Sequence, residues 1–100
     1  MSEVEAIVAA KDGGKYVRQL CKHWAHKLPV EIEGEGASPR GVVTFVGAVA
    51  TLDADDAGIR VHLSGNDREN LDRLKDVVAQ HIDRFAFREA PLAYDWTWAD

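Results

Sequence analysis

The side chains able to do chemistry near neutral pH gather in two short runs of this sequence. The first, Lys15 to Leu28, holds Tyr16, Cys21, Lys22, His23, His26 and Lys27; the second, near the C-terminus, holds His81, Arg84 and Arg88. Imidazoles titrate close to physiological pH and ligate zinc, copper, nickel and iron. His23 and His26, at a spacing of i, i+3, are neighbours on a helix surface. Two histidines are too few for a closed structural metal site, so a metal, if one binds, needs a further donor, and His23, His26 and His81 form the expected set. Arg84 and Arg88 lie one helical turn apart, a spacing that suits a two-pronged grip on a carboxylate or phosphate. Tyr16, Lys22, His23, His26, Lys27, His81, Arg84 and Arg88 are therefore the candidate residues for an anionic small molecule or a metal chelate. The plainer alternatives are a solvated, salt-bridged face that also uses Asp83 and Glu89, and a half-buried His81 bonded to a backbone carbonyl or a carboxylate. No particular cofactor is singled out.

Other chemistries find less support. Ser2, Ser38 and Ser64 fall in turns or at a terminus, and no glycine-rich phosphate loop or CxxC pair occurs, so a hydrolase has no nucleophile with partners. An acid/base enzyme built on His81 and Arg84 lacks a cleft-forming segment. Asp53, Asp55, Asp56 and Gly58 mimic the start of a calcium loop without its terminal glutamate and read as a turn. The single cysteine excludes an internal disulfide, and its place on an apolar stripe marks it as a small buried hydrophobe.

The elements that must position these residues follow from periodicity. Val17, Leu20, Cys21, Trp24 and Leu28 fall within an arc of about 100°, the core stripe of a helix. Asp12 or Gly13 caps it, and Pro29 stops it, because the residue before a proline is pushed out of the α region. Tyr16, His23 and Lys27 flank the stripe. Strands are expected at Ser2 to Ala10, with Val4, Ala6 and Val8 inward, at Val30 to Glu35, along an extended Gly41 to Leu52 bent at Gly47, and at Ile59 to Ser64. Asn66 or Asp67 caps a second helix that runs to about Phe87, with Leu71, Leu74, Val78, Ile82 and Phe85 inward. His81 projects into that apolar arc. Leu92, Tyr94, Trp96 and Trp98 alternate with small or polar residues as a last strand, whose aromatic face completes the core or meets a partner.

The order β-α-β-β-β-α-β predicts an α+β two-layer sandwich, ferredoxin-like or a close variant: a mostly antiparallel sheet with two helices on one face. One hundred residues make a single domain spanning 1–100. With 46% hydrophobic and 29% charged residues the chain is ordinary for a globular protein. A formal charge of -5 argues against general nucleic-acid binding. Glu3 and Glu5 interrupt any export signal, and the longest apolar run is far short of a membrane span, so a cytoplasmic, non-membrane protein is expected.

The run Tyr16…Gln19-Leu20-Cys21-Lys22-His23-Trp24-Ala25-His26-Lys27, with His81…Arg84-Phe85-Ala86-Phe87-Arg88-Glu89, resembles the two signatures of a bacterial family of small proteins, the domain of unknown function 2218 family. Members occur alone and fused to siderophore-interacting, flavin-binding ferric reductase modules. The resemblance implies iron or siderophore metabolism as a setting and a redox protein as a partner; it brings no assigned activity. The expected function is thus a small binding or accessory domain rather than an enzyme. The alternative is an interaction or homodimerisation module that uses Tyr94, Trp96 and Trp98.

Overall fold

The computed structural model describes residues 1–36 and 38–99; Ala37, inside the loop expected between Gly34 and Gly41, and Asp100 lie outside them. The elements run β1 (Ser2–Ala9), α1 (Gly13–Trp24), β2 (Val30–Glu33), β3 (Arg40–Phe45), β4 (Ala48–Asp55), β5 (Gly58–Gly65), α2 (Arg68–Phe85) and β6 (Thr97–Trp98). They form one antiparallel sheet of order β2-β3-β4-β5-β1-β6 with both helices against it. The β6-β1-β5-β4 part has the strand order of a ferredoxin-like sheet, and the β2–β3 hairpin extends it. The expected α+β sandwich is present.

Alternation sets the layers. Val4, Ala6 and Val8 of β1, Ala50 and Leu52 of β4, and Val61 and Leu63 of β5 are buried beneath the helices. The intervening Glu3, Ile7, Thr44 and Arg60 face solvent. Leu20 of α1 and Leu71 and Ile82 of α2 are also fully buried, each worth about 1.5–3 kcal/mol relative to exposure. Gly13 lets the first turn of α1 settle on the start of β5, because a Cβ there would lie 2.8 Å from the Gly58 carbonyl oxygen.

Several boundaries differ from expectation. The first helix ends at Trp24 rather than Leu28: the Lys27 and Leu28 amides both turn back to the Trp24 carbonyl, at 2.9 and 2.8 Å. The helix thus stops about a turn before the residue that Pro29 restricts, which leaves His26 and Lys27 outside it. The long strand from Gly41 to Leu52 is in fact two, β3 and β4, joined at Val46–Gly47, where Gly47 takes a φ of 74°; that left-handed backbone is open to glycine without strain. The sheet therefore has six strands instead of five. β2 stops at Glu33 and α2 at Phe85. The caps agree with expectation: of Asn66 and Asp67 it is Asp67 that caps α2, its carboxylate accepting the Glu69 amide at 3.0 Å, and Asp12 occupies the α1 cap position without a side-chain bond. Of the expected last strand only Thr97–Trp98 pairs, with Val4 and Glu5. Among the described residues no helix is long and apolar enough to cross a membrane.

Candidate functional site

α1 and α2 lie side by side, and their facing flanks create the site. On α1 the stripe Val17, Leu20, Cys21 and Trp24 goes to the core. This turns Tyr16, Gln19 and His23, at i, i+3 and i+7, towards α2. On α2 the stripe Leu71, Leu74, Val78 and Ile82 does the same and leaves His81 and Phe85 half-buried along the seam. After Phe85 the chain makes a tight turn, with the Glu89 and Ala90 amides both donating to the Ala86 carbonyl.

Glu89 fastens this turn to α1. One carboxylate oxygen accepts the Lys11 amide at 2.9 Å, and the other accepts the Tyr16 hydroxyl at 2.5 Å. The bond to Glu89, burial and the nearby negative charge push the Tyr16 hydroxyl up to about 12. The same bond, with the Lys11 amide, holds the Glu89 carboxyl below the usual carboxylate range. At neutral pH Tyr16 is therefore a fixed donor, and Glu89 is ionised and occupied.

Above this latch lies a cleft of about 160 Å³ lined by Asp12, Lys15, Tyr16, Gln19, Arg84, Phe85, Phe87 and Arg88. Three cations face one acid across it. Lys15, Arg84 and Arg88 make no ion pair among the described residues. Phe87 is 72% exposed, and the Arg88 guanidinium lies 5.8 Å from its ring centroid, at the outer reach of a cation–π contact. A larger recess of about 460 Å³ opens at the start of α1. Its charges balance, with Lys11, Lys15 and Arg18 against Asp12, Asp55 and Asp56, and Arg18 is committed to the Gly34 and Gly36 carbonyls at 3.0 Å. The smaller cleft, where positive charge is left over, is the better anion site.

One turn further along the seam the imidazoles meet. His23 and His81 have ring centroids 5.8 Å apart, and Phe85 stands edge-on to His23 at 5.9 Å, so Phe85 borders both the cleft and the histidine pair. Trp24 supports His81 from beneath at 5.1 Å and meets Phe45 edge-on at 5.2 Å. The His81 Nδ1 lies 2.6 Å from the Val77 carbonyl oxygen, the backbone partner that its place on an apolar arc demands.

Of the residues expected from sequence, Tyr16, Arg84 and Arg88 line the cleft and His23 and His81 pair beside it. Lys22, His26 and Lys27 do not join them: all three are exposed, the last two in the turn beyond α1. The trio of His23, His26 and His81 is not assembled, since no group of three or more His, Cys, Asp or Glu side chains converges as a metal site among the described residues. Cys21 is buried, and burial pushes its thiol up. Lys15, Gln19 and Phe87 are site members that sequence reasoning passed over. The shared flank of Tyr16, Gln19 and His23, and a phenylalanine lying off the apolar arc, were the available signals.

The aromatic C-terminal segment packs against α2. The Tyr94 hydroxyl donates to Asp83 at 2.9 Å, and burial together with that bond raises its pKa. Tyr94 and Trp96 stack at 6.3 Å, and the Arg68 guanidinium covers Trp98 at 3.9 Å. Tyr94, Trp96 and Trp98 are half-buried.

Fold and cleft together define a small two-layer α+β domain with a cationic, aromatic-walled recess between its helices. The chain belongs to the bacterial family described as "uncharacterized protein conserved in bacteria", the domain of unknown function 2218 family, whose profile matches residues 5–97. It is similar to the NMR structure of PA4090 from Pseudomonas aeruginosa, with 29% identity over 96% of this chain and 94% of that one and a TM-score of 0.75. No curated protein matches the chain.

Proposed function

We propose that this domain is a ligand-binding accessory module that takes an anionic small molecule, free or as a metal chelate, into the cleft between α1 and α2. The observation that carries this reading is the surplus of charge: Lys15, Arg84 and Arg88 line one recess with a single acid, Asp12, and the Glu89 carboxylate beneath it is engaged by the Tyr16 hydroxyl and the Lys11 amide. Like charges brought together repel, and a fold gains nothing from the arrangement until an anion arrives. Arg84 and Arg88 can each offer a forked pair of donors, Gln19 adds an amide, and Phe85 and Phe87 supply apolar walls. A ferric siderophore, the class suggested by the family resemblance, is one anionic chelate of this kind. Binding is favoured over turnover because Tyr16, the one acid–base group at the floor of the cleft, is tied to Glu89 and is not a base at neutral pH.

Thermal unfolding in inorganic phosphate and in benzoate, against sodium chloride at matched ionic strength, tests the proposal. A ligand present at a hundred times its Kd stabilises by about 2.7 kcal/mol. The melting temperature should rise with at least one of the two anions beyond the chloride control, and the rise should vanish in Arg84→Gln/Arg88→Gln. Equal melting in all three salts contradicts the reading.

A further inference from the structure

We infer that His23 and His81 form a two-imidazole docking point for a transition metal that arrives already held by an anionic chelator, next to the cleft that takes the chelator's negative charge. The inference rests on the proposed anion site but uses different residues. His81 donates Nδ1–H to the Val77 carbonyl over 2.6 Å, so in the neutral ring Nε2 carries the free lone pair. A backbone carbonyl on the opposite nitrogen is the usual support of a metal-binding histidine, because it fixes both tautomer and ring orientation. The His23 ring makes no hydrogen bond among the described residues, and its centroid stands 5.8 Å from that of His81. Two imidazoles on one tetrahedral metal, at a metal–nitrogen length of about 2.1 Å, hold their centroids about 5 Å apart. The rings are tilted by 43° to one another, and His23, which is exposed, would have to turn to bring a nitrogen towards the same metal.

Two ligands alone make a poor site for a free ion, and no third protein donor converges here among the described residues. That shortage selects for a metal whose other positions are filled by a chelator. Chelators of transition metals are rich in carboxylate or other oxyanions, and Lys15, Arg84 and Arg88 wait on the far side of Phe85. The metal would thus coordinate the imidazoles while the chelator's charge rests in the cleft.

The probes are Cu(II) chloride and Ni(II)–nitrilotriacetate, an anionic chelate that leaves a cis pair of positions open. Trp24 reports directly, because its ring lies 5.1 Å from His81 and paramagnetic Cu(II) bound there quenches its emission. Trp24→Phe, which leaves only Trp96 and Trp98 emitting, identifies that signal. The nickel chelate should bind the folded protein and Cu(II) chloride should bind more weakly, and His23→Gln or His81→Gln should weaken each by about tenfold or more. His26→Gln and His62→Gln should bind as the parent does. Arg84→Gln should weaken the nickel chelate and spare Cu(II), whereas His81→Gln should spare phosphate and benzoate; this separates failure of the metal site from failure of the anion cleft. His23 is exposed, so His23→Gln keeps the fold even if His81→Gln does not. Absence of Ni(II)–nitrilotriacetate binding in the parent, or chelate binding unchanged in His23→Gln, overturns the inference.

Discussion

The open face of the sheet and the seam between the helices are both rich in charge, yet they treat it oppositely. On the sheet, side chains on adjoining strands answer one another: Arg40 pairs with Asp53 at 3.4 Å and Arg60 with Glu5 at 3.1 Å, and the His62 Nε2 lies 3.0 Å from a Glu3 carboxylate oxygen. The antiparallel register brings opposite charges within reach and solvent screens them, so each exposed pair contributes about 0–1 kcal/mol. On the seam, Lys15, Arg84 and Arg88 surround a cleft with one acid among its lining. The charges of the first surface meet partners on neighbouring strands, whereas the cations of the second make no ion pair among the described residues.

Five variants probe that contrast. Trp24→Ala should have the largest effect, about 3–5 kcal/mol of unfolding free energy in denaturant melts, since Trp24 is a buried core residue beneath both His81 and Phe45. Arg84→Gln/Arg88→Gln should lower affinity for the stabilising anion about tenfold or more by removing charge-assisted bonds, each worth about 1.5–3 kcal/mol. Its melting temperature without ligand should hardly move.

Tyr16→Phe should cost about 1 kcal/mol and change the pH profile at its alkaline end. The folded Tyr16 titrates at about 12, above the free phenol near 10. Its bond therefore contributes fully below pH about 10 and is lost as pH climbs towards 12, a limb that should flatten in the variant. Glu89 runs the other way. Its lowered carboxyl contributes above the ordinary carboxylate range and fades as pH falls through its folded value, so Glu89→Gln should remove the acid limb. Glu5→Gln on the sheet face should have the smallest effect, at most about 1 kcal/mol by thermal melting, with anion affinity unchanged.

Much of this architecture is legible in the sequence because strict alternation and helical periodicity leave few choices. Val4, Ala6 and Val8 can only face inward, and Leu71, Leu74, Val78 and Ile82 define one side of α2. The hairpin at Val46–Gly47 is harder to see: β-branched and small residues continue on both sides, and a single glycine marks a bend and a reversal equally well. The early end of α1 is hidden for a related reason. Ala25, His26 and Lys27 all favour helix or tolerate it, and only the tertiary need to lead Leu28 and Pro29 into the sheet terminates it. At the site, spacing placed Tyr16 and His23 on one flank, and the chemistry of Arg84 and Arg88 was plain. Which flanks face each other is set by the packing of two helices on a shared sheet, a non-local property. Lys15 and Gln19 therefore emerge only from the structure, and Lys22, His26 and Lys27 leave the set.

The most direct test of the account is to follow backbone amide resonances of the uniformly ¹⁵N-labelled protein while titrating inorganic phosphate and then benzoate. Shifts confined to residues 12–19 and 84–89, and lost in Arg84→Gln/Arg88→Gln, are the predicted result. Shifts centred on the charge-balanced recess around Gly36 and Asp55, on the paired sheet face, or nowhere in the protein would contradict it.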